Sequence, residues 1–186
     1  MSENYTPRLT PPSNTDKHWI KTTHGGYNKC IQIQSNGSVL PNCTGYVHGR
    51  WMELLGKTTD DMGLSFSDAK NYWGWSSADL PRGREPQLGA ILCQSYQPAG
   101  HVCIVEEIVD ANTIRTSESI YGGYRFEIKT RKREWNWDWI PNGGAIFQGF
   151  IYLPDSPTPP TPPTPTDNNW KWWMFRKLIL KRKRGL

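Results

Sequence analysis

The sequence predicts an α+β domain followed by an extended proline-rich segment and a short cationic aromatic tail. Three observations lead there. Over residues 1–153 short apolar runs alternate with glycine-rich turns, as they do in a compact mixed domain, and there are no internal repeats. In residues 154–169, PDSPTPPTPPTPTDNN, proline stands at 154, 157, 159, 160, 162, 163 and 165. No helix or sheet interior tolerates that density, so a semi-rigid polyproline spacer is expected. Residues 170–186, WKWWMFRKLILKRKRGL, gather tryptophan, aliphatic and basic side chains without a single acid.

Charge follows the same division. The formal net charge is +5, but seven of the 22 Lys and Arg lie after Asp167; the first 167 residues hold 15 basic and 17 acidic side chains, a net of −2. The body is near neutral and the basicity belongs to the tail, so a nucleic-acid-binding body is not expected. A hydrophobic fraction of 36% and 10 tryptophans argue against disorder up to about residue 153. The first 19 residues contain no apolar run of signal-peptide type, so synthesis in a cytosol is expected, with Cys30, Cys43, Cys93 and Cys103 reduced. No stretch is long enough to span a membrane. The cysteines form no CxxC pair, and the set His24, Cys30, Cys43 and His48 does not match zinc-ligand spacing; no metal and no cofactor are expected.

In chain order, the first strong element is a helix within residues 41–56, PNCTGYVHGRWMELLG. Val47, Trp51, Leu54 and Leu55 form one apolar stripe that Cys43 begins, Asn42 is a fitting N-cap, and Gly56 a fitting stop. Cys43 then stands in the first turn, where the helix dipole favours a thiolate. A lone cysteine is more often a small core residue, so the functional reading needs a base. His18 and His24 fall in the polar, irregular N-terminal part, and His48 points to another side of the helix. That leaves His101, the first residue of a predicted strand over 101–109. Val102, Ile104 and Ile108 lie on one face of it and Cys103 and Val105 on the other, the pattern of a central strand. After a VDAN turn a second strand over 113–119 brings Glu118 beside His101, where a carboxylate can orient an imidazole. Thiol, imidazole and carboxylate in that arrangement are a nucleophile, a base and its orienter.

Trp73 and Trp75 in NYWGWSSADLPRGRE read as loop tryptophans suited to substrate contact. EWNWDWI reads as a strand with Trp135, Trp137 and Trp139 on one face, as core or as a wall for sugar or peptide. In the tail, Trp170, Trp172, Trp173 and Phe175 precede Arg176, Lys177, Lys181, Arg182, Lys183 and Arg184. Such a segment favours a membrane interface, anionic lipid, teichoic acid or lipopolysaccharide.

The segments NCTGYVHGRW, REPQLGAILCQ, GHVCIVEEI, TSESIYGG and FQGFIYLP, in that order, resemble the CHAP domain, the cysteine, histidine-dependent amidohydrolase/peptidase family. The resemblance covers about residues 28–153 within a catalytic domain of 1–153. It implies a papain-like α+β fold, a helix set against an antiparallel sheet, and cleavage of an amide bond in bacterial peptidoglycan. It implies Cys43 as nucleophile, His101 as base and Glu118 as orienting acid, with backbone N–H groups at the helix start, and Asn42 as a further donor, for the oxyanion. Two positions depart from the family's pattern. Many members carry asparagine two residues past the acid, where this chain has Ile120. Some phage members bind calcium through aspartates before the nucleophile, where this chain reads SNGSVLPN without a carboxylate, so no calcium site is expected. The expected protein is a monomeric phage endolysin, made in the host cytoplasm and acting at the cell wall after release. A non-catalytic wall- or membrane-binding protein on the same scaffold is the alternative.

Overall fold

The computed structural model of the chain describes residues 5–13, 40–123 and 125–156. The proline-rich segment beyond 156, the cationic tail, His18, His24, Cys30 and most of SNGSVLPN lie outside the described residues. Two helices, α1 (Cys43–Leu54) and α2 (Tyr72–Trp75), and six strands are present among the described residues. The strands are β1 (Arg82–Gly83), β2 (Ile91–Ser95), β3 (His101–Asp110), β4 (Thr113–Ser119), β5 (Phe126–Lys132) and β6 (Ile146–Ile151). They form one antiparallel sheet in the order β1-β6-β2-β3-β4-β5, so β3 is interior, as its two apolar faces predict. This is the α+β, papain-like arrangement that the sequence led us to expect, with α1 laid across β3 and β4.

Strand alternation sorts the core into two layers. Val102 and Ile104 of β3 face α1 and join Tyr46, Val47, Trp51 and Met52. Cys103 and Val105 face the other way and join Leu92, Ile114, Phe147, Phe150 and Trp137. The outer end of β3 runs beyond this cover, and Ile108 and Val109 are exposed there. Trp51 is fully buried and its indole N–H donates to Gly89 O at 2.8 Å. Burying a side chain of that size stabilises the fold by about 3 kcal/mol. The helix is buried on more than its predicted stripe, because Tyr5 and Arg8 of the N-terminal stretch dock on it. There Glu106 Oε2 accepts from Tyr5 Oη at 2.7 Å and from the Arg8 amide at 2.9 Å. The part that reads as polar and irregular in sequence is thus tied down at residues 5–13 by a buried carboxylate.

Two local expectations are corrected. EWNWDWI is not a strand. β5 is paired with β4 only as far as Thr113 opposite Lys132, where the β3–β4 turn begins and the partner ends. The chain then turns through a 3-10 helix, Arg133–Trp135, and two consecutive residues of positive φ, Asn136 (54°) and Trp137 (58°). The three tryptophans therefore separate: Trp137 enters the core at 2% exposure, whereas Trp139 stays 47% exposed. Trp73 and Trp75 stand in α2 rather than in a loop.

Candidate active site

α1 begins where Asn42 Oδ1 accepts from the Gly45 amide at 2.9 Å, the capping that the sequence predicts. The entry to the helix is tied to the end of β4. Ser119 Oγ donates to Pro41 O at 2.6 Å. Gly123, at φ +68°, passes so close to Leu40 that an added Cβ would lie 2.0 Å from Leu40 O. The first turn is thereby pinned against the sheet, and Cys43 is presented half-buried at its mouth. The amide of Cys43 belongs to the first turn, whose N–H groups have no acceptor within the helix.

His101 opens β3 directly after Gly100. That glycine has φ +73°, and a Cβ there would lie 2.5 Å from Lys70 N and 2.7 Å from Gln94 O, so no side chain fits. The close approach sets the imidazole at the strand end. Its Nε2 is hydrogen-bonded to Glu118 Oε2 on β4, and Cys43 lies beside the ring across the cleft, where it favours the charged imidazole. Thiol and imidazole thus share the cleft mouth, and the imidazole is bonded to the carboxylate behind it.

Glu118 is fully buried. Its Oε2 also accepts from Arg131 Nη2 at 2.8 Å, and Lys129 Nζ lies 3.0 Å from Oε1, both from β5. Burial disfavours a carboxylate, but Arg131, the imidazole and Lys129 together hold the Glu118 carboxyl well below the usual range. Burial likewise opposes charge on His101. The Glu118 carboxylate and the contact with Cys43 outweigh it and raise the imidazole to about 9. The ring is therefore charged at neutral pH.

Cys43 and His101 open on a cleft of about 180 Å³. Asn42 and Thr44 flank the thiol, Ile120 and Tyr121 form one wall with Lys129 and Trp139, and Asp68, Ala69, Tyr96 and Ala99 complete the lining. Lys129 Nζ sits 4.3 Å from the centre of the Trp139 ring. Tyr96 beside the thiol has its phenol pushed up to about 12, chiefly by burial, and keeps its proton. Asn42 lines the cleft while serving as the helix cap. Trp73 and Trp75 do not line it: Trp73 packs on the α1 core and beneath Arg82, and Trp75 is 68% exposed elsewhere. His48, as expected, points away, bonded to Asp60 at 2.9 Å and Ser65 O at 3.0 Å.

His101, Cys103 and Glu118 have donor atoms within 4.8 Å of one another, a spacing that could suit a metal. The donor set fits poorly. The Glu118 carboxylate already holds two cations, and burial pushes the Cys103 thiol up to about 12, so it offers no thiolate.

Sequence reasoning missed Arg131, Lys129, Tyr96 and Asp68; of the three tryptophans it read as core or wall, Trp139 is the one that lines the cleft. One signal was present: FEIKTRK alternates Glu127, Lys129 and Arg131 on one face of a strand, which places a charged row beside Glu118.

Residues 33–119 match the family model described as CHAP domain, a span that contains Cys43, His101 and Glu118. Over that span the chain is similar to the CHAP domain family. Over 108 residues it is 32% identical to "Probable autolysin LDP" of Staphylococcus aureus (strain NCTC 8325 / PS 47), covering 57% of this chain. A solved structure of N-acetylmuramoyl-L-alanine amidase from Staphylococcus aureus is 26% identical over 48% of this chain, with a TM-score of 0.39. The match spans 36% of that autolysin and 26% of that amidase chain. Lys129 and Arg131 lie beyond the span that the family model matches. No helix among the described residues is long and apolar enough to cross a membrane.

Proposed function

We propose that this CHAP-like domain hydrolyses an amide bond of bacterial peptidoglycan, with Cys43 as nucleophile, His101 as proton carrier and Glu118 as its orienter. The observation that carries the reading is the bonded pair His101–Glu118 set beside Cys43 at the mouth of an open cleft. An imidazolium beside Sγ is the counter-ion that an attacking thiolate needs. Sγ adds to the amide carbonyl, and the oxyanion is met by the Cys43 amide at the helix start. The imidazolium gives its proton to the leaving nitrogen, the C–N bond breaks, and an acyl-thioester remains. Water then gives a proton to His101, its oxygen adds to the thioester carbonyl, and the acid is released with the thiolate restored. Trp139, Tyr96 and Tyr121 give the cleft aromatic walls for a peptide or sugar. The names of the two relatives, an autolysin and a muramoyl-alanine amidase, support the wall as substrate.

Endolysin-type action is the form of this activity that we favour, because a wall-cutting domain is joined through prolines to a cationic, tryptophan-rich segment. That segment would hold the enzyme at an anionic envelope surface, through lipid, teichoic acid or lipopolysaccharide.

Mass spectrometry of purified peptidoglycan digested by the full chain tests the activity. New amine and carboxyl ends should appear in equal number and identify the bond. Products of glycosidic cleavage, or none, would overturn the reading. Removal of residues 168–186 should leave turnover on soluble muropeptides unchanged and slow lysis of whole cells; equal lysis would remove the anchoring role.

A further inference from the structure

We propose that Arg131 is a positioning residue for this reaction: its guanidinium fixes the Glu118 carboxylate, and through it the orientation of the His101 imidazole. The proposal rests on the Cys43–His101–Glu118 reading. Arg131 is fully buried on β5, and its side-chain hydrogen bonds to the described residues all point into one small polar nest. Nε donates to Thr116 Oγ1 at 2.9 Å, Nη1 to Trp137 O at 3.2 Å and to Gln94 Oε1 at 3.3 Å, and Nη2 to Glu118 Oε2 at 2.8 Å. Gln94 is itself anchored to the same carbonyl, Trp137 O, at 3.2 Å. Three neutral acceptors thus hold the fork, and one charge-assisted bond is left for Glu118. Among the described residues Glu118 is the only carboxylate to which Arg131 hydrogen-bonds.

No other group does this work. Ile120, beside the imidazole in the cleft wall, has no polar atom to orient it. Lys129 divides its ammonium between Glu118 at 3.0 Å and Glu127 at 2.7 Å. Glu127 stands directly opposite Glu118 in the β4–β5 ladder, where two carboxylates repel, so Lys129 is occupied in reconciling them. The further ionisable groups around Glu118 are His101 and Cys103 from β3, with Tyr96, Asp138 and Cys43 farther out; none is a permanent cation. Without Arg131 a buried carboxylate would keep one shared ammonium and the imidazolium that it is meant to orient. Its proton affinity would rise, and a protonated Glu118 no longer offers His101 Nε2 the negative charge that holds the imidazolium.

The test uses the full chain on soluble muropeptides. In Arg131→Met, kcat should fall about 10- to 100-fold while KM stays close to wild type. The acidic limb of its pH–rate profile should move up by about one pH unit or more. Arg131→Lys, which returns the charge without the fork, should restore the acidic limb while kcat stays between the two. Carbon NMR of the wild-type chain, with Glu118 assigned by comparison with Glu118→Gln, should find this carboxyl still ionised where an ordinary one takes its proton. The proposal is overturned if Glu118 titrates in the ordinary range. It is overturned if Arg131→Met folds and keeps the wild-type kcat and acidic limb. Should that variant not fold, a wild-type kcat for Arg131→Lys overturns it. Wall cleavage surviving in Cys43→Ser would instead remove the cysteine mechanism, and the NMR titration would still decide whether Arg131 holds the carboxylate.

Discussion

Two glutamates on neighbouring strands, Glu106 on β3 and Glu118 on β4, are both fully buried and both bonded to an arginine. They lie on opposite faces of the sheet. Glu106 faces α1, where it accepts from Arg50 Nε at 3.0 Å and Nη2 at 2.9 Å, from Ser117 Oγ at 2.6 Å, from Tyr5 Oη and from the Arg8 amide. All of its partners are groups that keep their protons at neutral pH, and the cluster does not line the cleft. Glu118 faces the other way, and one of its partners is an imidazole that opens on the same cleft as a thiol. A buried ion pair by itself is therefore no mark of function. It becomes one when a partner can gain or lose a proton at a cleft.

The comparison can be broken in several places, and the largest expected effect is on the thiol. Cys43→Ser should leave the fold intact and lower kcat by about 10⁴-fold or more, read as amine release from purified peptidoglycan. Wild-type turnover would end the nucleophile assignment. Glu118→Gln should follow, with a loss of about 10²- to 10⁴-fold in kcat, because an amide cannot stabilise the imidazolium as a carboxylate does.

Glu106→Gln should do the reverse. Breaking that pair costs about 3–5 kcal/mol in chemical denaturation, while kcat per folded molecule stays at wild type. A loss of kcat without a loss of stability would show that the two clusters are coupled through the sheet.

The pH dependence of stability separates them further. The folded His101 is raised to about 9 against an ordinary value near 6.5. Its contribution is therefore complete below pH 6.5 and lost as pH rises through 9, at most about 3 kcal/mol. Denaturation of wild type and His101→Gln at pH 6 and pH 9.5 should show the difference between the two proteins shrink. An unchanged difference would mean that the imidazolium is not held by Glu118. The smallest effect belongs to Tyr5→Phe, which removes one donor from Glu106 and should cost about 1 kcal/mol of stability with kcat unaltered.

Local pattern was a good guide wherever a short segment carries its own instructions. Asn42 followed by an apolar stripe specified α1 and its cap to within a residue, and GHVCIVEEIVDANTIRTSES specified two paired strands with His101 and Glu118 near each other. It failed at EWNWDWI. The alternation of tryptophan and polar residues there is a good strand pattern, but a strand needs a partner, and β4 has ended. Only the ladder shows that. The docking of residues 5–13 was equally hidden, because the carboxylate they bind lies 98 positions away from Arg8.

The sequence by itself determined the α+β class, the helix with a cysteine in its first turn, and the strand pair that carries an imidazole and a carboxylate. These follow from periodicities of 3.6 and 2 and from cap and turn chemistry, all of which act over a few residues. Tertiary structure alone decided which charges surround Glu118, which tryptophan reaches the cleft and which is core, and that Glu106 belongs to the scaffold. Those outcomes depend on which strand lies beside which and in what register. A buried charge is tolerated only where partners from distant parts of the chain arrive together, and no local rule places them.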